Sequence, residues 1–375
     1  MKTGWQKLPM GQLCSISSGE SDTQDAVEDG AYAFFDRSRT VKKSSRFLYD
    51  CEALIIPGEG KEFLPRHFVG KFDLHQRAYA LFDFTKQIDP RFLYFYLHHF
   101  SHYLPTVAVG ATVKSLRRRH FENLPVVVTT LAEQQRIVGV LDEAFAGIAT
   151  AQAHAEKNLQ NARSLFESHL QSVFTRRGRG WVEKTLEEIA TTFGRGKSKH
   201  RPRNAPHLYG GKYPFVQTGD IRNADHIITE HSQSYSEAGL SQSKLWPKGT
   251  VCITIAANIA ETAILGFDAC FPDSVIGVVA NPKEAEVGFI EYLLQSFKAR
   301  IQMMGKGSAQ ANINVGTFEN ERFPFPPVAD QRKIVAKLDS LSDEIHRLES
   351  LYQQKLAALA VLKKSLRHQA FSGAL

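Results

Sequence analysis

The chain has 375 residues, enough for two or more domains with cores of their own, and its 43% hydrophobic and 23% charged residues are ordinary for a globular protein. No run of about 18 apolar residues occurs, which argues against a membrane partner, and no apolar stretch follows Lys2, so a signal peptide is not expected. A net charge of +7 favours a polyanionic partner, and four scattered cysteines without a C-x-x-C pair suit a reducing, cytoplasmic setting.

In chain order, residues 1–126 read as a first globular domain. Strands are expected over 53–56 and 79–82, where β-branched and aromatic residues run between turn formers, and a helix over 90–103. Basic and polar side chains gather in expected loops: Arg37 and Arg39, Lys61, Arg66, then His75-Gln76-Arg77, then Lys114 with Arg117, Arg118 and Arg119. Lysine and arginine meet phosphate, arginine suits guanine, and asparagine or glutamine suits adenine. As clusters these residues point to DNA, although a solvated face explains any one of them equally well.

Residues 127–176 read as a helical spacer. Apolar side chains recur at Ile137, Leu141, Ala144, Ile148, Ala151, Ala155, Leu159 and Ala162, with spacings of four and three that make a coiled-coil seam. Residues 177–326 read as a second domain, with strands over 251–255 and 275–279 and a helix over 286–304. Its polar clusters are Lys197, Lys199, Arg201 and Arg203, then Thr218, Asp220, Arg222 and Asn223, then Lys306, Ser308, Gln310, Asn312 and Asn314. Residues 327–375 repeat the spacer, with a seam at Ile334, Leu338, Leu341, Ile345, Leu348, Tyr352, Leu356 and Leu359. Alanines on the first seam complement the leucines of the second, so the two helices are expected to pair. Each would be about 65 Å long. A compact second domain returns the chain near where the first helix ended, which predicts an antiparallel pair.

The chain is written twice. Leu131-Ala-Glu-Gln-Gln-Arg-Ile-Val-Gly-Val-Leu-Asp142 matches Val328-Ala-Asp-Gln-Arg-Lys-Ile-Val-Ala-Lys-Leu-Asp339 at an offset of 197. The same offset pairs Gly110 with Gly307, Phe121-Glu-Asn123 with Phe318-Glu-Asn320, and Phe174 with Phe371, whereas Gly4-Trp5 and Gly180-Trp181 match at 176. The fold expected is therefore two α/β (α+β) domains separated by two long antiparallel coiled-coil helices, a duplicated architecture with pseudo-two-fold symmetry.

Catalytic motifs are scarce. Pro57-Gly-Glu-Gly-Lys61 lacks phosphate-loop spacing, and no G-x-G-x-x-G follows a strand. His98 and His102 could share a metal on one helix, but without a third convergent ligand they read as packing or surface histidines. No catalytic or metal residue is assigned.

The arrangement resembles the specificity subunits of Type I restriction–modification systems. The similar stretches are Ile56-Pro-Gly-Glu-Gly60, Gly70-Lys-Phe-Asp-Leu-His-Gln-Arg77 and Gly110-Ala-Thr-Val-Lys-Ser-Leu116 in the first domain. In the second they are Tyr213-Pro-Phe-Val-Gln-Thr-Gly-Asp-Ile221, Trp246-Pro-Lys-Gly-Thr250 and Gly307-Ser-Ala-Gln-Ala-Asn-Ile-Asn314, followed by the helix opening from Pro326 to Val335. The first repeat departs from that opening, with Val-Val-Val-Thr-Thr before Leu131. The resemblance implies a non-catalytic chain in which each domain reads half of an asymmetric bipartite site on double-stranded DNA. It implies that the helices dock two methyltransferase subunits, which bind S-adenosylmethionine, and that restriction subunits using ATP and Mg join them. No cofactor is then expected in this chain. The alternatives are an autonomous DNA-modifying enzyme and a coiled-coil scaffold that binds no DNA.

Overall fold

The structure, a computed structural model, describes residues 4–200, 202–256, 259–305, 316 and 320–375. They fall into two compact units, Met1–Lys157 with Tyr352–Leu375, and Asn158–Leu351.

The first unit opens with β1 (Gln6–Pro9) and then builds a six-stranded sheet from β2 (Ser15–Ser18), β3 (Tyr32–Phe35), β4 (Lys42–Ser44), β5 (Tyr49–Pro57), β6 (Arg66–Leu74) and β7 (Ala78–Phe82). The strand order is β2-β7-β5-β6-β3-β4, antiparallel throughout except where β3 lies parallel to β6. The continuous apolar run Ala53-Leu-Ile-Ile56 suits the centre of the sheet, with neighbours on both sides, and all four residues are buried. After the sheet, α1 (Pro90–His99) starts on an Asp89 cap, whose carboxylate accepts from the Phe92 N–H at 3.0 Å, and on Pro90, whose φ is already helical. It buries Phe92, Leu93, Phe95, Tyr96 and Leu97.

The helix expected over 90–103 stops at His99, and α2 (Leu104–Val107) is a separate turn. Pro105 has no N–H, and its ring would collide with the carbonyl of Ser101, so a continuous helix cannot pass. His102 therefore leaves the helix that carries His98, and among the described residues no group of three or more possible metal ligands converges. Next come α3 (Arg118–Glu122) and β8 (Pro125–Val128), which pairs antiparallel with β1, and then α4 (Leu131–Thr175).

The second unit follows the same plan with an addition. Its strands are β9 (Val182–Lys184), β10 (Ala190–Arg195), β11 (Tyr209–Phe215), β12 (Ile227–Ile228), β13 (Gln233–Tyr235), β14 (Leu245–Trp246), β15 (Val251–Thr254), β16 (Thr262–Leu265), β17 (Ala269–Cys270), β18 (Val275–Ala280) and β19 (Phe323–Phe325). Interleaved with them are α5 (Thr218–Asn223), α6 (Glu237–Ser241), α7 (Val287–Ser296) and α8 (Lys298–Gly305), and α9 (Val328–Ser372) closes the chain. A five-stranded sheet, β10-β18-β15-β16-β12, carries the core, and a four-stranded sheet, β13-β11-β17-β14, lies beside it.

The duplication extends to the hydrogen-bonded registers. Leu54 pairs with Leu81 and Ile55 with Ala80, while Val251 pairs with Val278 and Cys252 with Gly277, all at the offset of 197. The ribbon ahead of each long helix repeats as well, with Lys7 opposite Val127 and Glu183 opposite Pro324. The offset is 176 at β1 and 197 from Leu54 onward, so the second domain carries 21 more residues between its first ribbon strand and β15. The segments forming α6 and most of the four-stranded sheet lie in that stretch.

Each unit contains parts of both long helices. In the first, the Arg136 guanidinium donates to the Leu375 carbonyl at 3.0 Å, and Lys363 Nζ sits 5.1 Å from the centre of the Phe145 ring. Moving forward along α4 thus means moving backward along α9, so the two run antiparallel. In the second, Arg163 and Glu349 pair at 2.5 Å. Along the seam, Ile137, Leu141, Ile148, Leu338 and Ile345 are buried, and Leu159, Ile334, Leu341, Leu348 and Tyr352 are half-buried. The first two seam positions of each helix pack into a domain core, Ile137 and Leu141 in the first unit and Ile334 and Leu338 in the second. No helix among the described residues is long and apolar enough to cross a membrane.

Candidate nucleic-acid interface

One end of the first unit's sheet gathers four separate basic segments. The turn between β6 and β7 is His75-Gln76-Arg77. His75 is only 2% exposed; its Nδ1 accepts from the Arg77 N–H at 3.0 Å, which leaves the proton on Nε2, facing Asp22 at 3.3 Å. This histidine builds the turn, and Gln76 and Arg77 project from it. Asp22 also accepts from Gln76 Nε2 at 3.2 Å, and the Thr23 backbone N–H, followed by His75 and Gln76, holds its carboxyl below the usual carboxylate range.

Beside this turn, Glu59 accepts from Arg77 at 2.5 Å and from Arg37 at 2.9 Å, while Arg39 pairs with Glu62 at 2.5 Å. Lys61 and Lys114 are exposed on flanking loops, and the Lys114 carbonyl accepts from the Gly60 N–H at 3.0 Å. A cavity of about 360 Å³ opens among Thr23, Arg37, Ser38, Glu59 and Val113. The structure therefore brings together Arg37, Arg39, Lys61, Gln76, Arg77 and Lys114, which span nearly eighty positions of sequence.

Other expected contacts stand differently. Arg66 opens β6 instead of a loop; it donates to the Ser38 carbonyl and lies 5.8 Å from the Phe35 ring centre. The side chain is half-buried, and that burial pulls its pKa down against the pull of Asp36. Arg118 and Arg119 lie on α3 and Arg117 precedes it; all three are exposed, with Arg118 paired to Glu122 at 2.7 Å.

In the second unit, Lys197 and Lys199 are exposed on the loop after β10, and Arg203 pairs with Asp273 at 2.6 Å. Asp273 lies on the turn before β18, the counterpart of Gln76 at the offset of 197. The loop passes close to that turn: a Cβ on Gly196 would meet the Phe271 carbonyl oxygen at 2.2 Å. Sequence reasoning missed Lys244 here. Its Nζ stands 3.6 Å from the Trp246 ring centre, and burial, then the Lys197 charge, push its pKa down.

Thr218, Asp220, Arg222 and Asn223 form α5, not a loop. Asp220 caps the helix, accepting from the Gln217 N–H at 2.8 Å and from Ser232 at 3.1 Å. It and Asn223 face a cavity of about 870 Å³ that also presents Asp225, Glu230, Asp339 and Asp343. Those carboxylates repel DNA phosphate, so α5 is a weaker candidate than the loop at Lys197. Arg201, Lys306, Ser308, Gln310, Asn312 and Asn314 lie outside the described residues.

Two glutamines anchor these domains to the helices. Gln134 is fully buried; it donates to the carbonyls of Gln87 at 2.8 Å and Thr129 at 2.7 Å and accepts from the Asp89 N–H at 2.8 Å. Gln331, also fully buried, does the same with Glu284 at 3.2 Å, Pro326 at 2.8 Å and Glu286 at 2.8 Å. Both had a trace in sequence as matched positions of the repeat, without a role.

Two copies of one scaffold, each with basic loops at one end of a sheet and each joined to a long helix, match a known pattern. The profile of the type I restriction modification DNA specificity domain covers residues 2–159 and again 178–355. The chain belongs to that family. It is similar to the Type I restriction enzyme EcoDI specificity subunit of Escherichia coli, with 22% identity over 402 residues, 99% of this chain and 88% of that protein. A chain solved in work on complex assembly and conformational transition of the type I R-M system superposes at a TM-score of 0.78 with 17% identity, covering 100% of this chain and 99% of its own length. The HsdS subunit from Thermoanaerobacter tengcongensis reaches 0.63, also at 17% identity, covering 100% of this chain and 98% of its own length. This chain is accordingly a specificity subunit of a type I restriction–modification system, a DNA-binding class, with two family domains and two long helices.

Proposed function

We propose that the two recognition domains each read one half of an asymmetric bipartite DNA site. The observation that carries this is the repetition of the strand registers with different side chains at their tips. His75-Gln76-Arg77 in one domain is replaced by Pro272-Asp273-Ser274 at the same offset in the other. Equal scaffolds with unlike contact residues suit two unlike half-sites, whereas equal tips would suit a palindrome. Domain boundaries at 1–126, 127–176, 177–326 and 327–375 accompany this reading. The exposed faces of α4 and α9 dock two methyltransferase subunits, with restriction subunits joining that assembly. The chain itself performs no catalysis: S-adenosylmethionine belongs to the methyltransferase, and ATP with Mg to the restriction subunit.

Methylation-site mapping tests this. Exchanging residues 177–326 for the corresponding domain of another specificity subunit should change one half-site and leave the other intact. A continuous or palindromic native site, or an exchange that alters both halves, would overturn the reading.

A further inference from the structure

The segment Pro57-Gly58-Glu59-Gly60 starts at the end of β5, at the edge of the first unit's basic cluster, and the split-site reading assigns it no role. Its backbone is clamped from both sides. The Gly58 N–H donates to the Arg77 carbonyl at 2.8 Å, the Leu116 N–H donates to the Gly58 carbonyl at 2.7 Å, and the Gly60 N–H donates to the Lys114 carbonyl at 3.0 Å. A Cβ on Gly58 would meet the Arg77 carbonyl oxygen at 2.7 Å, and Gly60 has a φ of +139°. Two glycines thus place one carboxylate at a fixed point. The Glu59 side chain is 12% exposed, whereas the two guanidiniums it holds, Arg37 and Arg77, are 48% and 59% exposed.

The arginines hang from fixed backbone as well. The Arg77 N–H is held by the buried His75 ring. The Arg37 turn is held by Asp36, which accepts from the Ser38 N–H at 2.7 Å and pairs with Lys42 at 2.6 Å. Burial works to raise the Asp36 pKa, but the contacts from Lys42 and Ser38 outweigh it and keep the carboxyl low and charged. Each guanidinium therefore keeps most of its N–H donors facing solvent, with its rotamer selected before any partner arrives. Free arginines on a basic surface settle on phosphate, which carries no sequence information. A rigid carboxylate biases the arginines it holds away from the phosphates and leaves each to present a planar fork. The base edge that fits such a fork is guanine, with its O6 and N7 acceptors side by side in the major groove.

We propose that Glu59 is a specificity-determining positioning residue, holding Arg77 and Arg37 as a fork that reads the guanine of a G·C pair in the first domain's half-site. The inference rests on the split-site reading. Glu59→Gln keeps the shape and removes the charge that holds both arginines; Arg77→Lys keeps the positive charge and removes the fork.

The full chain, with its methyltransferase partner where the two co-purify, is incubated with a randomised DNA pool, and bound DNA is sequenced for wild type and both variants. Discrimination at one G·C position should fall on the order of tenfold in both variants. Affinity for unrelated DNA should hold or rise, because the arginines released by Glu59→Gln become free to meet phosphate. Three results would overturn the inference: the altered position is A·T, no position changes in either variant, or both variants weaken all sequences alike. A merely structural ion pair predicts the last. A wild-type chain that selects no split sequence refutes the underlying reading instead, so the two failures are distinguishable.

Discussion

Replacing Gln331 by leucine probes how a recognition domain is joined to its helix. The side chain is fully buried, so water cannot take over its hydrogen bonds without a rearrangement. Leucine leaves the Glu286 N–H and the Pro326 carbonyl unpaired, both held at 2.8 Å in the wild type, and loses a longer contact of 3.2 Å to the Glu284 carbonyl. A buried group left unsatisfied costs about 1–3 kcal/mol, so the two short bonds set a loss of roughly 2–6 kcal/mol. The apolar side chain recovers about 1–2 kcal/mol by burial. Taking the middle of each range, the net expectation is destabilisation by about 2.5 kcal/mol, concentrated at Glu286, the N-cap residue of α7, and where α9 begins. Hydrogen exchange followed by mass spectrometry reads this locally, which matters because a chain of two units need not unfold in one step. Protection should fall over residues 284–290 and across the first turn of α9, with little change in the first unit. Gln331→Glu should be no milder at neutral pH, since a carboxylate cannot donate and would face two carbonyl oxygens. Gln134→Leu should produce the same pattern around Asp89. Protection unchanged in Gln331→Leu, with a stability loss below about 0.5 kcal/mol, would refute the anchoring role.

Phe371 and Phe174, the two residues that close the repeat, pack on Phe92 and Phe289 at 5.3 Å between ring centres, and those partners are themselves related by the offset of 197. Phe371→Ala should cost about 3 kcal/mol and expose the end of α9 to limited proteolysis; resistance equal to wild type would count against it. The two units should respond oppositely to pH. Burial, then the Arg367 charge, depresses His98 from 6.5 to about 4, so its contribution is complete above pH 6.5 and is lost as pH falls towards 4. Burial works to lower His226 too, but the Glu291 carboxylate 2.7 Å away outweighs it and raises the pKa, so that contribution is complete below pH 6.5 and is lost as pH rises through the raised value. Exchange protection of each unit against pH, with His98→Gln and His226→Gln as controls that flatten the respective slopes, checks both signs. Replacing Arg117, Arg118 and Arg119 together by alanine should lower the salt slope of DNA binding by about 2–3, with Arg118 contributing least because Glu122 already neutralises it; an unchanged slope removes these residues from the interface.

Periodicity and repetition are properties of the chain as a line, and they were legible without any structure. The seam from Ile137 to Ala162 required a long helix because spacings of four and three make a stripe only on a helix, and α4 runs from Leu131 to Thr175. The match of 131–142 to 328–339 required two copies of one fold, and the registers of Leu54 with Leu81 and Val251 with Val278 show how far that copy extends. The interface was legible only as residue types. His75 and Arg77 look equivalent in sequence, yet one ring is buried and builds the turn while the other side chain projects from it. Asp220 and Asn223 resemble loop residues until their backbone turns helical and they line a cavity shared with carboxylates from α9. Glu59 stood out only as a member of the family-like stretch Ile56–Gly60, without a role, because its partners Arg37 and Arg77 are about twenty positions away on either side. Such roles depend on which distant segments arrive beside one another. Strand pairing across long separations decides that, and no local propensity records it.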